Sequence, residues 1–255
     1  MSLNVTINSS HMINMALNYL KKIAKRVLPA SILLFIIKRR QEKALNRQRE
    51  RFSAGCQELL FLVGDILSQA GIPYWLNYGT LLGAYRDNDF IPHDYDLDIG
   101  LMMEYQEKVK KLMCDNGLTQ VFEAHMGGSW EEPEAVEYRF EYNGACIDFN
   151  FYFVKECGTV STYDFVLIEN VDYRSNMGKQ NPILVEGVTS PLSGLKKIVF
   201  KGREFAIPDN TEDYLVANYG PSWRVPVKDF DYHDYAENII VYKKGEMYGE
   251  IIIYK

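Results

Sequence analysis

The sequence predicts an α+β fold, in which a mixed sheet is flanked by helices and preceded by a helical N-terminal segment. Apolar residues recur at helical spacing from Phe52 to Ala70, which predicts a long amphipathic helix. Further along, two strand-like stretches flank Asn143-Gly144, a dipeptide that strongly favours a tight hairpin turn. Helices followed by a series of hairpins are typical of the α+β class.

The composition supports a folded domain of ordinary size. The chain has 255 residues, of which 47% are hydrophobic, and this is enough to build a substantial core. Its four cysteines are scattered, without a CxxC pair or a histidine-rich partner, so a zinc site or a disulfide framework is disfavoured. Free thiols in a reducing compartment are the simpler interpretation, and the predicted location is cytoplasmic.

Charge is distributed unevenly along the chain. Residues 21–51 contain eleven lysines and arginines against two glutamates, whereas the rest of the chain has 17 basic and 32 acidic residues. An acidic domain does not attract nucleic acid through its surface field, so no nucleic-acid partner is predicted. The acidic part must hold any anionic substrate with a bound metal and a few placed cations.

The basic residues 1–51 are predicted to form a separate helical segment, followed by a catalytic domain over residues 52–255. The apolar run of this segment, Val27 to Ile37, is much shorter than the ~20 residues of a spanning helix. Two interpretations stay open. The segment is peripheral to an anionic membrane surface through its lysines and arginines, or it packs on the domain or on a second copy of the chain to make an oligomer.

The remaining elements follow from periodicity and turn residues. Gly71 and Pro73 end the long helix, and the strand Tyr74–Tyr78 leads into a tight turn at Gly79-Thr80. The sequence then predicts a short helix Leu81–Arg86, an acidic strand Tyr95–Leu101, a helix Glu104–Asn116 and a strand Leu118–Ala124. The hairpin of Ala135–Tyr142 with Ala145–Val154 follows, then a strand Tyr163–Val171 and a long loop Asp172–Ser193. The last predicted elements are a hairpin Lys196–Ile207 turned at Lys201-Gly202, a helix Pro208–Tyr219, and two strands within Asn238–Lys255 turned at Lys244-Gly245.

Three aspartates alternate with apolar residues in the acidic strand. Successive side chains of a strand point to opposite faces, so Asp94, Asp96 and Asp98 are predicted to share one face. Like charges on one face repel, and a divalent cation is the simplest partner because hard cations such as Mg²⁺ take carboxylate oxygens. The alternatives are a solvated edge strand and a structural calcium loop, although the glycine spacing of a calcium loop is missing.

The order of these features resembles the active site of nucleotidyltransferases of the DNA polymerase β type. In that pattern a strand and a Gly-Thr turn, here Gly79-Thr80, precede two carboxylates one residue apart, here Asp96 and Asp98. A third acid follows on a later strand, here Asp148. The resemblance implies that the turn backbone holds a phosphate while the acids hold a metal ion.

Longer stretches narrow the resemblance to one family. GTLLGAYR followed by FIPHDYDLDIG is similar to the LicD/fukutin-related family of phosphotransferases. The run Ile147-Asp148-Phe149 looks like the second acidic strand of that family, and the segment from Phe205 to Trp223 resembles its closing segment. The likeness covers about residues 55–225 and leaves out the basic N-terminus and the last thirty or so residues.

This family resemblance implies transfer of a phospho-alcohol group, of the phosphocholine or alditol phosphate type, from a CDP-linked donor to a hydroxyl of a glycan or cell-surface polysaccharide, with release of CMP. It implies Mg²⁺ or Mn²⁺ held by Asp94, Asp96 and Asp98, and Asp148 as a base or further ligand. The other predicted site residues are Tyr78, Gly79 and Thr80 for substrate, and Arg86 for phosphate binding and catalysis. The alternatives are nucleotidyl transfer to a small acceptor and a binding protein of the same fold without activity.

Overall fold

The computed structural model describes residues 30–92, 94–127, 135–165, 185–227, 230–242 and 248–254. The chain divides into two compact units, Met1–Arg47 and Gln48–Lys255. Among the described residues, no helix is both long enough and apolar enough to cross a membrane. Residues 1–29 of the predicted basic segment and residues 166–184 of the predicted strand and long loop lie outside the described residues.

Four α-helices are present in the described residues. They are α1 (Ala30–Gln69), α2 (Tyr78–Leu82), α3 (Gln106–Asp115) and α4 (Thr211–Tyr219). The predicted buried side of α1 is confirmed, since Leu59, Leu60 and Leu67 are completely buried. The helix ends at Gln69, and Gly71 follows it with a φ of +64°, the left-handed conformation that glycine adopts without strain.

Eleven strands are described. They are β1 (Tyr74–Leu76), β2 (Asp96–Met102), β3 (Thr119–Gly127), β4 (Ala135–Tyr142), β5 (Ala145–Glu156), β6 (Thr159–Phe165), β7 (Val185–Pro191), β8 (Leu195–Phe200), β9 (Arg203–Pro208), β10 (Ile239–Val241) and β11 (Tyr248–Ile253). Nine of these form one mixed sheet in the order β10-β7-β6-β5-β4-β3-β11, with β2 on β5 and β1 on β2. The predicted hairpin of β8 and β9, turned at Lys201-Gly202, is confirmed as a separate two-stranded sheet.

Strand β5 connects the parts of the main sheet. Its first residues lie between β4, which is antiparallel to it, and β2, which is parallel, while its last residues pair with β6. The hairpin predicted at Asn143-Gly144 is therefore confirmed, with Tyr142 opposite Ala145. The parallel register sets Asp98 beside Asp148, so the acidic strand and the later acid meet on adjacent strands.

One close approach fixes a glycine in β2. A Cβ atom on Gly100 would lie only 2.2 Å from the ring of Trp75, which is opposite it on β1. Any side chain at this position would displace the indole, because real Cβ atoms do not approach other atoms so closely. The tight β1–β2 contact in turn brings the end of β1 next to the acidic strand.

Local boundaries near the acidic strand differ from the prediction. The short helix starts at Tyr78 instead of Leu81, and a single π-helical turn, Gly83–Asp87, follows it. Strand β2 begins at Asp96, so Asp94 lies in the preceding loop and not on the strand. The backbone of Asp94 is held there by its own turn, in which its N–H donates to the carbonyl of Ile91 at 3.1 Å.

Two predictions for the C-terminal part of the chain were wrong: a loop that contains a strand, and a hairpin between the last two strands. The end of the predicted loop Asp172–Ser193 is strand β7, because β6 and β10 flank it on both sides. The two C-terminal strands do form, but they do not pair with each other: β10 joins β7 and β11 joins β3. Each of these strands pairs with the open edge of a strand that lies far away in the chain. A local sequence pattern does not indicate such a distant partner.

Candidate active site

The site starts at the junction of β1 and α2. The backbone N–H of Asn77 donates to the carbonyl of Asp98 at 3.0 Å, which ties the turn to the acidic strand. Tyr78 follows with a φ of +34°, an unfavourable region for a residue with a Cβ. Such strain costs on the order of 1–3 kcal/mol and is concentrated at functional sites, where the surroundings hold the backbone in place.

Gly79 and Thr80, both predicted from the sequence, face the acids directly. A Cβ on Gly79 would lie 2.5 Å from Oδ2 of Asp94 and 3.5 Å from Oδ2 of Asp98, so only glycine leaves room for these carboxylates. The hydroxyl of Thr80 accepts a hydrogen bond from the N–H of Asp98 at 2.8 Å. Thr80 thereby fixes the position of the acidic strand.

Asp148 and Asp96 share a partner that sequence reasoning missed, Arg139. Its Nε donates to Oδ1 of Asp148 at 2.6 Å and its Nη2 contacts Oδ2 of the same carboxylate. The same Nη2 donates to Oδ2 of Asp96 at 2.8 Å. A signal for this partner was present in the sequence, because counting outward from the Asn143-Gly144 turn sets Arg139 opposite Asp148.

The acids are short of positive charge in spite of this arginine. Burial raises the pKa of Asp94, and it raises the pKa values of Asp96 and Asp98 well above the ordinary carboxyl range. The next cause is repulsion by neighbouring carboxylates, from Asp148 on Asp96 and from Asp96 on Asp98. Asp94 and Asp96 also lie in hydrogen-bond contact with each other. A cation placed among these groups would favour their ionised forms.

A cavity of about 1050 Å³ opens in front of the acids. Its described lining includes Tyr78, Gly79, Asp94, Asp96 and Asp98, which the structure brings together at one cavity. Arg86 also lines it. The guanidinium of Arg86 donates to both oxygens of Asp87, at 3.0 Å and 2.7 Å, and to the carbonyl of Trp223 at 3.3 Å.

Aromatic and apolar residues also line the cavity. The rings of Phe230 and Tyr235 stack with centroids 5.1 Å apart, and Tyr219 packs on Phe230 at 5.3 Å. Val225 and Val227 lie beside them and are largely exposed. The sequence did not predict these residues as part of the site, and with them the lining combines acidic, aromatic and apolar side chains.

A buried network of hydrogen bonds holds Asn77, the residue between β1 and α2, in place. Asn77, completely buried, donates through Nδ2 to the hydroxyl of Tyr152 at 2.9 Å and to Oδ1 of Asn150 at 3.1 Å. Its Oδ1 accepts from the hydroxyl of Tyr214 at 2.7 Å. Because β5 and α4 supply these partners, the turn, the second acidic strand and the last helix are held together by one side chain.

The arrangement of the acids on the sheet is typical of one class of protein. An α+β domain carries a short helix after a turn, two acids on the next strand and a third acid on the neighbouring strand, which is the nucleotidyltransferase type. A sequence model described as "LicD/FKTN/FKRP, nucleotidyltransferase domain" matches residues 71–210. The chain therefore belongs to the LicD/FKTN/FKRP family.

Several curated relatives are similar to this chain. Ribitol-5-phosphate transferase FKTN of Homo sapiens is 28% identical over 190 residues, which are 74% of this chain and 37% of that protein. Ribitol 5-phosphate transferase FKRP of Homo sapiens is 35% identical over 100 residues, covering 37% of this chain and 20% of that protein. The chain thus spans little more than a third of the length of the FKTN relative.

Two proteins of known structure are also similar to this chain. The lincosamide antibiotic adenylyltransferase LnuA with bound lincomycin has a TM-score of 0.37 and 13% identity, over 59% of this chain and 78% of that chain. ANT(2")-Ia in complex with adenylyl-2"-tobramycin has a TM-score of 0.33 and 11% identity, over 62% of this chain and 71% of that chain.

Proposed function

We propose that this protein transfers a phospho-alcohol group from a CDP-linked donor to a hydroxyl of a glycan or cell-surface polysaccharide, and that CMP is released. An alditol phosphate, such as ribitol phosphate, is the favoured group because the FKTN and FKRP relatives are named for it. Phosphocholine is the second candidate. In the reaction the acceptor oxygen bonds to the phosphorus of the transferred group, and the bond between that phosphorus and the CMP oxygen breaks.

The observation that carries the proposal is the charge of the cavity lining. Among the described residues, six aspartates line it against two arginines, Arg49 and Arg86. The aspartates are Asp87, Asp89, Asp94, Asp96, Asp98 and Asp164. A diphosphate donor would be repelled from this surface unless a further cation entered with it. A divalent ion that binds both the acids and the diphosphate would remove this repulsion.

The donor set fits such an ion in its chemistry. Asp94, Asp96 and Asp98 offer carboxylate oxygens, the ligands that Mg²⁺ and Mn²⁺ prefer. Burial raises the pKa values of Asp96 and Asp98, and repulsion by neighbouring carboxylates raises them further. Within the described parts of the chain, no three acidic, histidine or cysteine side chains are already arranged as a metal cage. We infer that the three carboxylates become ligands as metal and diphosphate bind together. The bound ion would supply a Lewis acid for the phosphate oxygens.

Arg86 is the proposed phosphate-binding and catalytic arginine. Its ion pair with Asp87 is partly exposed, and such pairs contribute only about 0–1 kcal/mol. A phosphate oxygen of the donor can therefore replace Asp87 at small cost, and the planar guanidinium suits two parallel hydrogen bonds to phosphate. The role of Asp148, predicted as a base or a further ligand, requires Arg139 to release one of its oxygens.

A panel of CDP-linked donors tests the proposal. CDP-ribitol, CDP-choline and CTP are each incubated with the protein, Mn²⁺ and a glycan acceptor, and CMP and pyrophosphate are measured. CMP release with a CDP-linked donor supports the proposal. Pyrophosphate release from CTP would favour nucleotidyl transfer instead. If Asp96→Asn, compared with the surface control Asp115→Asn, retained full turnover, the assignment would be wrong.

The basic segment is the proposed attachment to an anionic membrane surface. Ile32, Phe35, Arg39 and Lys43 are all exposed and recur every three or four residues along α1, so they lie on one helix face. This face combines apolar and basic side chains, as interfacial helices do. Pelleting with phosphatidylserine liposomes, with and without residues 1–45, tests the proposal; equal pelleting would leave an oligomer contact as the alternative.

A further inference from the structure

Four carboxylates and one guanidinium form the acid cluster, which consists of Asp94, Asp96, Asp98, Asp148 and Arg139. Arg139 is contributed by β4, outside the segments that the sequence singled out as the site. Its contacts are distributed unequally over the acids. Both oxygens of Asp148 contact the guanidinium, whereas Asp96 is contacted through Oδ2 by Nη2 alone.

The acids also differ in whether they line the cavity. Asp94, Asp96 and Asp98 line it, while Asp148 and Arg139 are not among its lining residues and lie behind them on β5 and β4. Asp148 is also 4% exposed as a whole residue. An ion that bridges the cluster to a substrate in the cavity would therefore meet the three front carboxylates first, with the arginine on the opposite side.

The sheet fixes this position of the guanidinium. Arg139 is directly opposite Asp148 in the β4–β5 hairpin, and Asp148 is in register with Asp98 on β2. Arginine is always charged in proteins, so it supplies a permanent positive charge where a second metal ion would otherwise be needed. The guanidinium bridges Asp96 and Asp148, so these two carboxylates would share Arg139 in place of a second divalent ion.

We propose that Arg139 is the fixed second cation of this site, so that the protein takes one divalent ion on the cavity side, and that Asp148 is a positioning residue instead of a metal ligand or base. The proposal rests on the proposed function for the presence of a divalent ion. Asp148 acts by holding Arg139, and Arg139 acts by neutralising the rear of the cluster and orienting Asp96.

Metal counting tests this without reference to turnover. The full chain is titrated with Mn²⁺ alone and with Mn²⁺ plus CDP, and bound metal is measured by calorimetry and by electron paramagnetic resonance. We expect one Mn²⁺ per chain and no Mn–Mn coupling in the spectrum. Two coupled ions per chain would overturn the inference but leave the phosphotransferase proposal intact. No Mn²⁺ binding under either condition would overturn both.

A matched pair of variants separates a ligand from a positioning residue. Asp98→Asn removes a front carboxylate and should weaken Mn²⁺ binding at least about 100-fold, whereas Asp148→Asn should weaken it less than about 10-fold with one ion still bound. Equal losses in the two variants would assign Asp148 to the metal and contradict the inference. Urea unfolding of both variants verifies that they are folded.

Replacement of the arginine gives the second comparison. Arg139→Gln keeps hydrogen-bonding capacity but loses the charge, and we expect a second Mn²⁺ to bind between Asp96 and Asp148. Arg139→Lys retains the charge and should return the count to one ion per chain. An unchanged count in Arg139→Gln would refute the proposal. Should Arg139→Gln not fold, the Asp98 and Asp148 variants still decide between the two arrangements.

Discussion

Two regions of this protein bury carboxylates, and they do so in opposite ways. Glu123 on β3 is 4% exposed and accepts hydrogen bonds from Lys110 at 2.8 Å, Gln120 at 3.0 Å and Tyr254 at 2.7 Å, while its other oxygen contacts His125 at 2.5 Å. In the active site Asp148 and Asp96 are also buried, at 4% and 9% exposed, and they share Arg139 as their cation, while the half-buried Asp94 and Asp98 lie next to them.

The difference appears directly in the pKa values. Burial by itself would raise the pKa of Glu123, but hydrogen bonds from His125, Lys110 and Tyr254 lower it to about 2. Burial raises the pKa values of Asp96 and Asp98, and their carboxylate neighbours raise them further. A buried acid surrounded by donors is a structural group, whereas buried acids surrounded by acids indicate a site for a cation.

The largest expected effect comes from Asp98→Asn. The amide removes a predicted metal ligand, so CMP release should fall by about 10²–10³-fold, as when other groups that stabilise transition-state charge are removed. The free energy of unfolding of the metal-free protein should stay the same or rise, since a repelled buried charge is gone. Turnover and urea unfolding measured on the same preparation test both statements. A large loss of stability would mean that this cluster is structural after all.

Glu123→Gln should show the reverse pattern. The charged acceptor of Lys110 and His125 is lost, and the buried partners are left incompletely paired, which should cost about 2–4 kcal/mol in the free energy of unfolding. CMP release at saturating donor should remain within about twofold of the wild type, because Glu123 is not among the residues that line the cavity. Loss of turnover in a variant that stays folded would contradict the division into structural and functional acids.

The pH dependence of stability should differ in sign between the two regions. The folded-state pKa of Glu123 is about 2, below the ordinary value of 4.5, so its stabilising contribution is complete above pH 4.5 and is lost as pH falls towards 2. Asp96 and Asp98 have raised pKa values in the folded state, so in metal-free protein their contribution declines as pH rises from the ordinary value of 3.8 through the folded values. Urea midpoints from pH 2 to 8 for the wild type, Glu123→Gln and Asp98→Asn measure both trends. Parallel curves for the wild type and Glu123→Gln would exclude the contribution of Glu123.

The smallest effect is expected from a pair of changes at the turn. Gly79→Ala pushes a methyl group against Oδ2 of Asp94, which would otherwise lie 2.5 Å away, and should weaken Mn²⁺ binding about tenfold. In the Asp94→Ala background the added methyl group meets only Oδ2 of Asp98, at an ordinary contact distance of 3.5 Å, so its effect should largely disappear. Calorimetry on the four proteins of this double-mutant cycle gives the coupling, expected to be about 1 kcal/mol. Additive effects would mean that the two residues do not contact each other.

Local patterns predicted a large part of this site. The two acids of β2 and the Asn143-Gly144 hairpin depend on residues close together in the chain. Gly79 and Thr80 were also identified, but they lie in helix α2 and not in the predicted tight turn. The position of Arg139 opposite Asp148 also follows from the hairpin register, but Arg139 was not among the predicted site residues. Helix α2 starts three residues earlier than predicted, at Tyr78, whose φ of +34° no propensity of tyrosine indicates.

Contacts between segments that are distant in the chain could not be predicted from local sequence patterns. The Asn77 network needs Tyr152 from β5 and Tyr214 from α4, and no spacing in the sequence brings these together. Glu123 depends on Tyr254, 131 residues further along. Strand β7 carries Gly187 because a Cβ there would lie 3.1 Å from the ring of Tyr242. Such a glycine resembles a loop signal until its neighbour is known.

The split pairing of the C-terminal strands has a consequence for the order in which the chain can fold. β10 pairs with β7 and β11 pairs with β3, so each of these two earlier strands keeps one open edge until its own C-terminal partner is made. During synthesis β3 and β7 emerge first and expose unpaired backbone until residues 239–253 have left the ribosome. Exposed strand edges invite pairing with other chains. The nascent protein should therefore depend on chaperones until its last strands are made.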